Sequence, residues 1–188
     1  MLSTSAMPRI FVAIPVSNHL QLALSRVKPH SSAGMRWVAP KNLHLTIRFL
    51  GEISEEQLGR VFSAVSQAAR EGPGPFTLHV EGIGAFPSTN QARVIWAGVS
   101  GDHKPLTQLY ERVQARLHDV GFPVEKRPFR PHITLARLRN PAPLSPELRR
   151  LAKQSFGSWR IDTLQVMESK LKPTGAEYIV RQQYALES

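Results

Sequence analysis

Two tetrapeptides of one pattern stand nearly half the chain apart: His44-Leu45-Thr46-Ile47 and His132-Ile133-Thr134-Leu135. An imidazole titrates near pH ~6.5 and can therefore act as acid or base at neutral pH. Two such rings with two hydroxyls suit the hydrolysis of a cyclic phosphodiester. One ring deprotonates the attacking water, and the other protonates the departing ribose oxygen. Threonine hydroxyls and backbone N–H groups can donate to the non-bridging phosphate oxygens without adding a charge that quenches the histidines. This scheme calls for neither metal nor cofactor. A lone histidine in a strand is more often structural, and His19, His30, His79, His103 and His118 are read that way. The matched doubling sets His44 and His132 apart.

Each copy falls in a segment that alternates like a strand. Over Leu43 to Leu50, apolar Leu43, Leu45, Ile47 and Phe49 alternate with His44, Thr46 and Arg48, and a second strand is expected over Pro131 to Leu138. Residues two apart in a strand share a face. His44 therefore projects with Thr46, and His132 with Thr134, while their aliphatic neighbours point into packing. If the two strands lie side by side, both imidazoles and both hydroxyls line one cleft. A helical pattern follows each copy after a loop, as in two halves of a pseudo-symmetric fold.

The remaining elements have to bring those strands together. Ile10, Val12 and Ile14 alternate with Phe11 and Ala13 in a buried strand. Ser17-Asn18 starts a short helix to about Val27. Ser54-Glu55-Glu56-Gln57 is a capping box ahead of an apolar face of Leu58, Val61, Phe62 and Val65. Strands are expected at Phe76 to Ile83 and Ala92 to Val99. Asp102 precedes a helix carrying Leu106, Leu109, Val113 and Leu117, and Ser145-Pro146-Glu147 starts a helix to about Gln154. Ile161 to Leu171 and Glu177 to Leu186 flank the turn Lys172-Pro173-Thr174-Gly175 as a hairpin. The expected class is α+β with antiparallel sheets, not a doubly wound parallel sheet. No glycine-rich phosphate loop is present.

Bulk properties narrow the choice further. With 188 residues and 41% hydrophobic content the chain can bury a core without staples. The expected organisation is a loose tail over residues 1–8 and one domain over residues 9–188, with a monomer as the default. The absence of cysteine removes disulfides, thiolate catalysis and Cys-ligated zinc. Neither a signal peptide nor a run of about 20 apolar residues is evident, so a cytoplasmic protein with no membrane partner is expected. The net charge of +10 points to an anionic partner, nucleic acid being the usual one. Residues 125–153 alone hold 8 Lys+Arg against 2 Asp+Glu, a basic stretch around the second motif.

The doubled motif with its surroundings resembles the 2H phosphoesterase superfamily, and within it the RNA 2′,3′-cyclic phosphodiesterases, also called 2′-5′ RNA ligases. The residues that carry the resemblance are Arg9 to Ile14, Trp37, Asn42 to Gly51, Arg93 to Gly98, Phe129 to Arg137, Glu168 to Leu171, Gly175 and Tyr178. The resemblance implies a bilobal α+β fold in which two antiparallel sheets face each other across a cleft with helices outside. It implies opening of an RNA 2′,3′-cyclic phosphate to a 2′-phosphomonoester, and 2′-5′ ligation as the reverse reaction. His44 then donates a proton to the leaving 3′-oxygen and His132 is the base for water; the residues alone do not say which does which.

The same resemblance puts Phe49 and Arg137, each five residues past its histidine, near the terminal base. Strand parity objects, because an odd offset points to the opposite face unless the strand twists, bulges or ends first. Arg130, two before His132, has the parity for phosphate or ribose contact. Trp37 and Trp96 suit either base stacking or packing.

Other readings stay open on sequence. One is an RNA-binding module without catalysis, against which the intact His and Thr pairs speak. Another is a 2H enzyme for 2′-5′ oligonucleotides or for cyclic phosphates on ADP-ribose-type nucleotides. A metal hydrolase would want carboxylates beside the histidines; none flanks His132, and Glu52 is the nearest to His44.

Overall fold

The computed structural model describes residues 7–31, 34–172 and 175–187. Most of the expected tail, residues 1–6, and the hairpin tip at 173–174 lie outside the described residues. Pro8 is already buried, and its carbonyl accepts from Ile53 N–H at 3.1 Å.

Among the described residues, nine strands form one strongly curled antiparallel sheet with four α-helices. The strands are β1 (Arg9–Pro15), β2 (Met35–Trp37), β3 (His44–Glu52), β4 (Phe76–Phe86), β5 (Ala92–Ser100), β6 (His132–Ala142), β7 (Ser155–Ile161), β8 (Thr163–Lys172) and β9 (Gly175–Ala185). The helices are α1 (Asn18–Ser25), α2 (Glu55–Arg70), α3 (Lys104–Asp119) and α4 (Pro146–Arg150), with one 3₁₀ turn at Pro40–Asn42. The strand order is β7-β4-β5-β6-β3-β1-β8-β9, with β2 added to β6. It divides into two four-strand halves that meet at β6 and β3. The α+β class with antiparallel pairing is as expected, and the two expected sheets are the halves of one strongly curled sheet that is continuous through β6 and β3. The short strands β2 and β7 escape the sequence pattern, and α4 ends at Arg150, not near Gln154.

Local chemistry explains the helix boundaries. Both halves of the Ser54–Gln57 capping box form, at 3.1 and 2.9 Å. The Ser145 hydroxyl accepts from Leu148 N–H at 3.4 Å, with Pro146 in the first turn. Asp102 accepts from Lys104 N–H at 3.0 Å just before α3, whose Leu106, Leu109, Val113 and Leu117 are all buried. Helices α2 and α3 pack on each other and on the first half of the sheet. Among the described residues no helix is long and apolar enough to cross a membrane.

The halves are joined at one ladder pair, Leu45 opposite Ile133. Both side chains are 0% exposed and belong to a single hydrophobic core that spans the molecule. Their sequence neighbours therefore point away from the core. In the antiparallel register set by that pair, His44 lies opposite Thr134, and Thr46 opposite His132. The four motif residues surround one point on the face that the core does not use.

The parity conflict at Phe49 and Arg137 is removed by two matching β-bulges. Against β1, Thr46 pairs with Ala13 but Arg48 pairs with the adjacent Val12, so Ile47 is the extra residue. Against β5, Thr134 pairs with Trp96 but Ala136 pairs with the adjacent Ile95, so Leu135 is the extra residue. Each bulge sits three residues past its histidine. Ile47 and Arg48 are both buried, as are Leu135 and Ala136, and the next residues, Phe49 and Arg137, return to the histidine face. Buried Arg48 is put to use: its guanidinium donates to Pro123 O at 2.5 Å and pairs with Glu125 at 3.3 Å. It thus ties β3 to the loop that leads into β6.

Because the halves meet at one buried pair, Leu45→Ala should lower the unfolding free energy by about 2–5 kcal/mol, measured by urea denaturation. A loss below about 1 kcal/mol would show that the junction is held elsewhere.

Candidate active site

Each histidine opens its strand, and each ring is fixed in the same way. His44 Nδ1 lies 2.7 Å from Asn42 O, and His132 Nδ1 lies 2.6 Å from Arg130 O. A carbonyl oxygen only accepts, so Nδ1 carries the proton in both rings. Nε2 is left with its lone pair in the neutral form and with a transferable proton in the charged form. Both rings therefore present the atom that acid–base chemistry needs.

Aromatic side chains hold the rings from the side. Tyr178 meets His44 edge-on at 5.2 Å, and Phe11 packs against it at 4.9 Å. Phe86 meets His132 edge-on at 5.0 Å. Phe86 is backed by Trp96 at 5.3 Å, and Trp96 lies so flat over Gly84 that a Cβ there would overlap its ring. Trp96 thus packs behind the site. Phe11, Ala13 and Met167 form a small second core with Tyr178 under the cleft face. Of these supports, Phe11 reads on sequence as a strand residue, and Phe86 falls beyond the strand expected over Phe76 to Ile83, which the structure extends to Phe86.

Both imidazoles are pushed below their usual pKa. Burial is the largest cause for each, and the carbonyl bond to Nδ1 opposes it. The Arg137 cation lowers both further, and His132 also lowers His44. That mutual influence places Arg137 and both rings in one electrostatic neighbourhood.

A cavity of about 510 Å³ opens on the His44 side. Its wall includes His44, Thr46, Phe49 and Arg137, joined by Arg9, Arg36, Trp37 and Tyr178. The volume is in the range of small-ligand pockets. His132 and Thr134 do not line it, although they share its sheet face. Phe49 is exposed, with the Arg9 guanidinium 4.9 Å from its ring centroid.

The strand parity used for Arg130 does not hold in the structure. β6 begins at His132, so strand parity does not extend back to Arg130, and its side chain is exposed outside the cavity wall. Its structural contribution is the backbone carbonyl that orients His132. The basic stretch is also partly consumed by structure. Arg149 donates to Leu144 O, Thr89 O and Asn90 Oδ1, and Arg127 pairs with Glu125. Among the described residues no group of three or more His, Cys, Asp or Glu is arranged to hold a metal ion.

Comparison with known proteins places this geometry among relatives. The family described as LigT like Phosphoesterase matches residues 11–96 and 99–178. An RNA 2′,3′-cyclic phosphodiesterase of Archaeoglobus fulgidus is 34% identical over 176 residues, covering 90% of this chain and 96% of that one. A crystal structure of a Thermus thermophilus protein superposes with a TM-score of 0.82 at 32% identity, covering 95% of this chain and 97% of the other. E. coli LigT complexed with 3′-AMP gives 0.77 at 25% identity, covering 97% and 99%.

Arg137→Gln removes a positive charge that opposes protonation of both rings, so both histidine pKa values should rise, read by NMR titration. Unchanged values would show that burial alone depresses them.

Proposed function

We infer the function from one premise: the chain belongs to the LigT-like phosphoesterase family. On that premise it opens the 2′,3′-cyclic phosphate at an RNA 3′ end to a 2′-phosphomonoester. The observation that carries this reading is the pair of imidazoles, each with Nδ1 tied to a carbonyl two residues back, flanking the Leu45–Ile133 junction on one sheet face.

The asymmetry of the cleft supports one assignment of roles. The cavity lies beside His44, so the nucleoside sits on that side and the leaving 3′-oxygen, which belongs to its ribose, departs toward His44. In-line attack then brings water from the His132 side. His132 Nε2 takes the water proton as the oxygen attacks phosphorus. The P–O3′ bond breaks, and protonated His44 gives its Nε2 proton to O3′. The products are a 2′-phosphate and a 3′-hydroxyl, with His44 neutral and His132 charged until solvent resets them. Thr46 and Thr134 donate their hydroxyl protons to the non-bridging oxygens. Phe49 offers a ring face to the terminal base, and Arg137 supplies positive charge at the rim.

Electrostatics suits an anionic substrate. A cyclic phosphate carries one negative charge, which stabilises imidazolium and offsets burial and Arg137. The acid His44 gains protonation when substrate binds, just when it must hold a proton to give.

The test is turnover of a 2′,3′-cyclic nucleotide by pure protein in EDTA, with the 2′- and 3′-phosphate products resolved. Turnover to the 2′-phosphate is expected, and His44→Ala and His132→Ala should each lose about 10²–10⁴-fold in rate while remaining folded. Activity that returns only with a divalent metal would overturn the mechanism. The kcat profile, which reports the substrate complex, should be bell-shaped and lie at higher pH than that of kcat/KM, which reports the free enzyme. A flat response between about pH 5 and 9 would rule out paired imidazoles.

A further inference from the structure

The two carbonyls that orient the histidine rings are held by unequal means. Asn42 O belongs to the 3₁₀ turn at Pro40–Asn42, which has its own bonds from Asn42 N–H to Ala39 O at 2.8 Å and from Leu43 N–H to Pro40 O at 3.1 Å. Arg130 O belongs to the irregular segment between α3 and β6. Among the described residues no backbone–backbone hydrogen bond holds residues 123–130. Side chains fix that segment instead. At its near end the Phe129 ring, next to Arg130, stacks on Tyr110 of α3 with centroids 4.2 Å apart and planes 8° from parallel. At its far end Arg48 of β3 donates to Pro123 O at 2.5 Å and pairs with Glu125 at 3.3 Å. Arg48 is only 8% exposed, and among the described residues its Nε and Nη1 have no hydrogen-bond partner. Burying a cation is a poor way to stabilise a fold, because an apolar side chain of like volume often does as well or better. What this buried guanidinium gains is its hold on the loop.

We propose that Arg48 is a positioning residue for His132: the strand that opens with His44 sets the ring of the opposite histidine through the loop at 123–130. This rests on the activity proposed above and adds to it a residue that lies outside the cavity wall. A segment held at both ends has a fixed path. Release at Pro123 and Glu125 lets the Phe129–Arg130 peptide turn about its remaining anchor. Arg130 O then leaves His132 Nδ1, and their 2.6 Å bond is what selects the Nδ1–H tautomer. The cation that shifts the pKa of His132 is Arg137, so Arg48 acts through the loop and not through its charge. His44 keeps its own turn and carbonyl, and among the described residues none of 123–130 lines the cavity beside it. Loss of Arg48 therefore reaches the base and spares nucleoside binding.

Two readouts separate positioning from mere stability. Arg48→Met keeps the apolar length of the side chain, and Glu125→Ala removes the loop carboxylate from a partly exposed site. Ring-nitrogen NMR reports the tautomers without turnover. In the wild type both neutral rings should carry the proton on Nδ1. In Arg48→Met, His132 should become a mixture of tautomers while His44 stays as it was. With a 2′,3′-cyclic nucleotide, kcat should fall about ten- to hundredfold while KM changes by less than about twofold. Arg48→Lys, which keeps a donor for Pro123 O, should recover part of both kcat and the tautomer. Glu125→Ala should show the same pattern at smaller amplitude, and it decides the question alone if Arg48→Met does not fold. An unchanged His132 tautomer in the folded variants, or an equal change at both histidines, overturns the proposal. A wild type that turns over no cyclic phosphate would count against the activity and leave the tautomer readout intact, so the two readings fail separately.

Discussion

The Leu45–Ile133 pair is the constraint on which the rest depends. It is the one ladder contact between β3 and β6 among the described residues, and it joins strands whose neighbours are otherwise drawn from separate halves. Burying both side chains in the common core fixes which face each strand turns outward. Two histidines and two threonines then have to emerge on the other face. No direct bond between the motifs is required, because strand alternation converts one apolar contact into the placement of four polar groups. The carbonyls of Asn42 and Arg130 complete the arrangement by choosing the tautomer of each ring.

The halves are alike in backbone and unlike in surroundings. Both motifs carry a bulge at the same offset, and both rings meet an aromatic edge-on. The difference comes from β2, β8 and β9. β2 adds to β6 beyond the end of its pairing with β3, while β9 brings Tyr178 and the far wall of the cavity to the His44 side. Chemically equivalent histidines thereby acquire different neighbours, which is what a reaction with distinct acid and base steps requires. Arg137 couples the two functions of the cleft. Burial is the main cause that lowers both imidazole pKa values, and the Arg137 charge on the cavity wall acts in the same direction.

Much of this was legible in the chain. The doubled motif, the alternation around it, the Ser54–Gln57 capping box and the apolar face of α3 are local signals, and each matches its structure. What was not legible was set by partners distant in sequence. A bulge is a mismatch between two strands, so neither β3 nor β6 announces it alone; parity accordingly misplaced Phe49 and Arg137. The three residues of β2 are too few to show a period, and β7 contains Gly157 within a weak alternation. At Arg130 it is the backbone oxygen that meets His132. A carbonyl has no residue-type signature.

The hairpin of β8 and β9 has a consequence for how the molecule is made. It returns from the second half to pair with β1, so the first half of the sheet gains two of its four strands last. During synthesis, β1 and β3 must wait as an incomplete ribbon while β4 to β7 emerge behind them. His44 meets Tyr178 only after that return. Pairings of such long range slow folding and leave strand edges open in the meantime. The last strands made are therefore the ones that close the first half of the sheet and bring an aromatic wall to His44.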